Sequence, residues 1–93
     1  MLEVGPGNGQ LSVDAVRSLG PNGSYLAFEY EEDIAELARG ALSETGVALD
    51  VRSGDFMAHA PTEAADAILA VNVLYFFPEL SSFLSRCRSW LKP

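Results

Sequence analysis

Three glycines spaced two apart, Gly5, Gly7 and Gly9, follow directly on the apolar run Met1-Leu2-Glu3-Val4. A strand that turns abruptly toward a helix leaves bare backbone N–H groups at the mouth of a sheet, and glycines let a ligand approach them closely. A second apolar run ends in an acid, Glu29, about twenty residues after the glycines. Together these features predict a nucleoside-binding site in a parallel α/β sheet. The spacing narrows the ligand. A dinucleotide fingerprint places its third glycine at position 10, but Gln10 stands there and the glycine is at 9. No Gly-Lys-Ser/Thr ending of a phosphate loop is present, and no basic residue precedes Arg17 to neutralise a pyrophosphate. Glu3 instead puts a carboxylate in the first strand. That suits a ligand with a cationic amine, and a carboxylate inside an apolar strand needs a partner.

The elements that must position these residues are legible from periodicity. Residues 1–4 read as a buried strand and 10–19 as a helix with Leu11, Ala15, Val16 and Leu19 on one side. Gly20-Pro21-Asn22-Gly23 stops that helix. Residues 24–28 read as the second strand, ending at Glu29. Residues 31–45 read as a helix, with Ile34, Leu37, Ala38, Ala41 and Leu42 on one stripe and acids in its first turn, where the helix dipole favours them. Gly46 ends it, and 47–52 read as the third strand. Residues 53–63 read as loop with at most a short helix. Residues 67–73 form a continuous apolar run, the pattern of a strand covered on both faces. Residues 78–91 read as the last helix, with Leu80, Phe83, Leu84, Cys87 and Leu91 on one stripe. Right-handed crossovers then give a parallel sheet in the order 3-2-1-4, with the first and fourth strands adjacent at the topological switch.

With 93 residues the chain holds one domain at most. Hydrophobic residues make up 48%, enough for a core, and the formal charge of −7 leaves no basic nucleic-acid footprint. An acidic field favours cationic ligands. The single cysteine, Cys87, cannot form an internal disulfide, and no signal peptide or long apolar span is present, so a reducing cytoplasm is the expected compartment. One histidine and one cysteine make no metal-ligand set. His59, the sole histidine, lies in the loop after the third strand and earns no assignment as a base.

Leu2-Glu3-Val4-Gly5-Pro6-Gly7-Asn8-Gly9 resembles motif I of the class I S-adenosylmethionine-dependent methyltransferases. The resemblance covers the chain in order: Phe28-Glu29-Tyr30 at the end of the second strand, Ser53-Gly54-Asp55-Phe56 after the third, Ala65-Asp66-Ala67-Ile68-Leu69 for the fourth, then Leu74-Tyr75-Phe76-Phe77-Pro78 and the closing Trp90-Leu91-Lys92-Pro93. It implies a Rossmann-like three-layer α/β sandwich with S-adenosyl-L-methionine as cofactor, and a methyltransferase whose acceptor is a small molecule. It also implies that residues 1–93 are the N-terminal part of an incomplete domain, because family members continue with further strands. An uncovered apolar edge on the fourth strand would fit this, and could also support an oligomer.

Carried over position by position, the resemblance places Gly5, Gly7 and Gly9 against the amino-acid portion of the cofactor and Glu3 near its ammonium. Glu29 falls on the ribose hydroxyls, Tyr30 packs on the adenine, Asp55 accepts from the adenine amino group, and Phe56 lines the ring. Asn72 and Val73 border the methyl-transfer site. No catalytic residue is assigned, because methyl transfer needs chiefly alignment and desolvation. Purely structural roles stay open: a tight turn for the glycines, a helix cap for Glu29, a turn residue at Asp55. Two other functions stay open as well, a non-catalytic cofactor-binding or regulatory subunit and a nicotinamide-dependent oxidoreductase, the latter disfavoured by the glycine at 9.

Overall fold

Short apolar strands alternating with helices close into a four-stranded parallel sheet in a computed structural model of the protein, which describes residues 1–71 and 73–93 and, of Tyr75, the backbone only. The elements are β1 (Leu2–Val4), α1 (Val13–Arg17), β2 (Ser24–Glu29), α2 (Glu32–Leu42), β3 (Ala48–Ser53), β4 (Ile68–Ala70) and α3 (Leu80–Trp90). Three-residue 3-10 turns stand at Ser43–Thr45, Phe56–Ala58 and Leu74–Phe76. The strand order is β3-β2-β1-β4, as the crossover rule predicts. The register sets Glu3 beside Ala27 and Leu69, and Glu29 beside Ser53.

Side-chain alternation divides the core into two layers. Leu2, Val4, Leu26 and Phe28 face Phe56, Phe83 and Trp90 on one side of the sheet. Tyr25, Ala27 and Val51 face Val16, Ala35, Ala38 and Leu42 on the other. Glu3 points into this second layer, so β1 is buried on both faces while carrying a carboxylate on one of them.

The helices depart from the expected pattern in register. α1 has five residues rather than ten, because residues after Gly9 continue as turns: the Ser12 amide donates to the Gly9 carbonyl and the Gln10 amide to the Asn8 side chain. Leu11, expected on the buried side, lies in those turns and is 86% exposed. α2 buries Ala35, Ala38 and Leu42, and Leu37 points to solvent. Small residues occupy the buried stripe because the glycine loop packs directly on the helix. α3 buries Phe83 and Trp90 with Cys87 between them, while Leu80, Leu84 and Leu91 are largely exposed.

The fourth strand is also shorter and less covered than its composition suggests. β4 spans only Ile68–Ala70, all half-buried, and Val71 is exposed. The large α3 side chains, Phe83 and Trp90, pack among Leu2, Val4, Leu26 and Phe28 of β1 and β2, so β4 sits at the margin of the covered area. Among the described residues β4 pairs only with β1. The segment just before it is tied to the end of α3: the Ala65 amide donates to the Trp90 carbonyl, the Lys92 amide donates to the Ala65 carbonyl, and Lys92 pairs with Asp66 at 2.8 Å.

Candidate functional site

The C-terminal ends of β1, β2 and β4, with the loop after β3, enclose a cleft of about 1140 Å³. It lies at the switch between β1 and β4, where open parallel sheets bind their ligands. Glu3, Gly5, Gly7, Glu29, Tyr30, Asp55 and Phe56 all line it, so the fold brings together residues spread over more than fifty positions of sequence. Val73 also lines it, and Gly9 does not. Asn72, assigned to the methyl-transfer side, lies outside the described residues.

The three glycines have different physical causes. A Cβ at Gly5 would stand 2.6 Å from Cγ1 of Val73, and one at Gly9 would stand 3.0 Å from Cα of Ala38, so both are small because protein packs against them. All three hold a positive φ that is costly for other residues, but Gly7 is different in that a Cβ there would meet nothing within 4 Å. It is the loop glycine whose space opens into the cleft. Its amide donates to Oε1 of Glu29 at 2.9 Å.

Glu29, half-buried at the end of β2, therefore spans the floor of the cleft from β2 to the β1 loop. Its second oxygen accepts a long bond, 3.4 Å, from the Glu31 amide. Among the described residues that amide is its one tie to the start of α2, so capping is a minor part of what its carboxylate does. Asp55 is exposed, and one of its oxygens accepts from the Met57 amide at 2.9 Å. It thus caps the Phe56–Ala58 turn, as the structural alternative predicts, while standing at the cleft wall. Tyr30 is 70% exposed at the rim. The ring of Phe56 is 3% exposed and packs on Phe28, Phe83 and Trp90, so it supports the wall from behind.

Glu3 has partners that sequence reasoning missed. Its Oε1 accepts from Ser12 Oγ at 2.6 Å and from the Tyr25 hydroxyl at 2.7 Å, all three residues being buried. Burial, followed by the bond to Glu3, pushes the Tyr25 hydroxyl far above its ordinary pKa, so it stays a donor. The signal for Tyr25 lies in the parallel register: it shares a face with Ala27, the neighbour of Glu3. His59 packs against Phe28 with its ring tilted, 4.9 Å between centroids, and does not line the cleft. Among the described residues no group of three metal-ligating side chains forms, and no helix is long and apolar enough to cross a membrane.

The comparisons agree with this geometry. The profile of the methyltransferase domain family matches residues 1–93. The ubiquinone biosynthesis O-methyltransferase of Paramagnetospirillum magneticum is 30% identical over 93 residues, which is all of this chain and 36% of that protein. The O-methyltransferase TomG of Streptomyces achromogenes, solved in complex with S-adenosylmethionine, is 25% identical and superposes with a TM-score of 0.74, covering 99% of this chain and 44% of that one. A methyltransferase of Thiobacillus denitrificans bound to S-adenosylhomocysteine shares the fold, with a TM-score of 0.78 at 19% identity and coverage of 99% of this chain and 37% of that one. The chain thus spans well under half the length of these proteins. With a profile match from the first residue to the last, and with the glycine loop and the acid ending β2 meeting at one cleft, the chain belongs to the methyltransferase domain family.

Proposed function

We propose that this chain is the cofactor-binding part of an S-adenosylmethionine-dependent methyltransferase acting on a small-molecule acceptor in the cytoplasm. The observation that carries the reading is the bond from the Gly7 amide to Glu29, at a point of the glycine loop where the cleft is open. A carboxylate fixed there keeps lone pairs for the two hydroxyls of a ribose, a charge-assisted bidentate contact. Asp55 has one oxygen left for the adenine amino group, with Tyr30 on the ring and Phe56 behind the wall. The backbone at Gly7 runs along the amino-acid portion. Glu3, held by Ser12 and Tyr25, lies beneath it as a buried carboxyl group on the side of the ammonium. The bound cofactor supplies an activated methyl group on its sulfonium sulfur. What the residues do is hold it, orient it and exclude water. The acceptor belongs on the β4 side of the cleft.

Isothermal titration of the full-length protein tests the reading. S-adenosylhomocysteine should bind more tightly than NAD. Equal or stronger binding of NAD would refute the assignment. The relatives named above, among them O-methyltransferases, favour a small acceptor over a macromolecule.

A further inference from the structure

The cleft has two chemically distinct halves. Its four carboxylates, Glu3, Glu29, Glu31 and Asp55, all come from β1, from β2 and the residues after it, and from the loop after β3. On the β4 side the lining consists of Leu69, Val71, Val73, Phe76, Phe77 and Pro78, with no polar side chain among the described residues. No lysine, arginine or histidine appears among the described lining residues. The nearby arginines are engaged elsewhere: Arg39 with Glu32, Glu36 and the Val51 carbonyl, Arg52 with Asp50, and Arg86 with the Met57 carbonyl.

The apolar half is built and accessible. Phe77 stacks on Phe83 of α3 at 4.2 Å between ring centroids, which holds the segment after β4 in place. Phe76 beside it is 67% exposed and Val71 45% exposed. Apolar surface of this kind at a cleft mouth marks a place that a ligand or another chain covers. The volume of about 1140 Å³ also exceeds the roughly 300–1,000 Å³ of ordinary ligand pockets, so it has room for more than the cofactor.

We infer that the methyl acceptor is a ring-bearing apolar small molecule that is neutral or cationic at the atoms entering the cleft, and that carboxylated, sulfonated or phosphorylated acceptors are rejected. The inference rests on the methyltransferase reading above. Two effects select for this class. The β4 wall rewards apolar ring surface, and its described residues offer an anion no side-chain donor. The carboxylate wall repels an anion in a partly desolvated space, where like charges cost more than in water. Of the four carboxylates, Glu31 is the one that no cofactor contact occupies in the proposed arrangement, and it stands at the rim.

A matched pair of fluorescent probes tests this on the full-length protein saturated with S-adenosylhomocysteine. N-phenyl-1-naphthylamine is neutral, and 8-anilino-1-naphthalenesulfonate has the same rings with one sulfonate added. The neutral probe should bind at least about tenfold more tightly. Phe76→Ser should weaken it about fivefold with S-adenosylhomocysteine affinity unchanged. Glu31→Gln should narrow the gap by strengthening the sulfonate alone. Equal or tighter binding of the sulfonate would overturn the inference, as would a neutral probe indifferent to Phe76→Ser. Failure of both probes to bind would mean that other parts of the protein, or a second copy, cover the apolar wall, and would also overturn it. If S-adenosylhomocysteine itself does not bind, the methyltransferase reading fails and the acceptor class falls with it.

Discussion

Replacing Glu29 by alanine separates a ligand contact from a structural one. In the free protein its carboxylate accepts one good bond, 2.9 Å from the Gly7 amide, and one poor bond of 3.4 Å. Both donors lie where water can reach them, so Glu29→Ala should cost under about 1 kcal/mol of stability. For a domain of this size that is a fall of at most roughly 8 °C in melting temperature. With a ribose in place the same carboxylate would take two hydroxyl bonds, and bonds to an ionised acceptor are the stronger kind. Their joint loss should weaken binding by about 2–3 kcal/mol, which is roughly 30- to 150-fold in Kd. Titration calorimetry with S-adenosylhomocysteine gives the affinity, and a thermal melt of the free protein gives the stability. Glu29→Gln, which keeps the shape and one acceptor, should fall between wild type and alanine. An unchanged affinity combined with a large drop in melting temperature would show that Glu29 is a structural brace and that the ribose assignment is wrong.

The glycines should split by role. Gly7→Ala should cost about 1–2 kcal/mol of stability through its φ of +60° while binding falls sharply, and Gly9→Ala should cost more, through its φ of +85° together with the 3.0 Å approach to Ala38, both read by melts and calorimetry. A Gly7→Ala variant that binds normally would make the loop a mere turn. Tyr25→Phe should destabilise the fold by roughly 1–3 kcal/mol in denaturant titration, because it removes one of the two hydroxyls that satisfy the buried Glu3 carboxylate. A neutral effect would mean that Ser12 alone suffices. A polypeptide of residues 1–93 should self-associate in light scattering as its concentration rises, since among the described residues β4 pairs on one side only and Val71 and Phe76 are exposed. A monomer at high concentration with a cooperative melt would refute that.

Local chemistry in the sequence determined the fold class, the strand order and the glycine-and-acid part of the cleft. Strand-glycine-helix spacing and Glu29 on schedule after β2 depend on short-range pattern and the handedness of crossovers, which act on any chain of this periodicity, whereas Tyr30, Asp55 and Phe56 were legible only through the resemblance to a known family. The tertiary structure decided which face each helix buried. Leu37, expected on the buried stripe with Ala38 and Leu42, points to solvent and Ala35 is buried instead, on the helix that Gly9 approaches at Ala38, a contact between residues far apart in sequence. It decided too that Trp90 fills the core while Leu80 and Leu84 stay outside, and that β4 lies at the margin. Above all it decided what holds Glu3. A buried carboxylate in an apolar strand announces that it needs a partner, but which hydroxyls answer depends on how β1 and β2 align and where the loop places Ser12, and no local pattern in a single chain encodes that alignment.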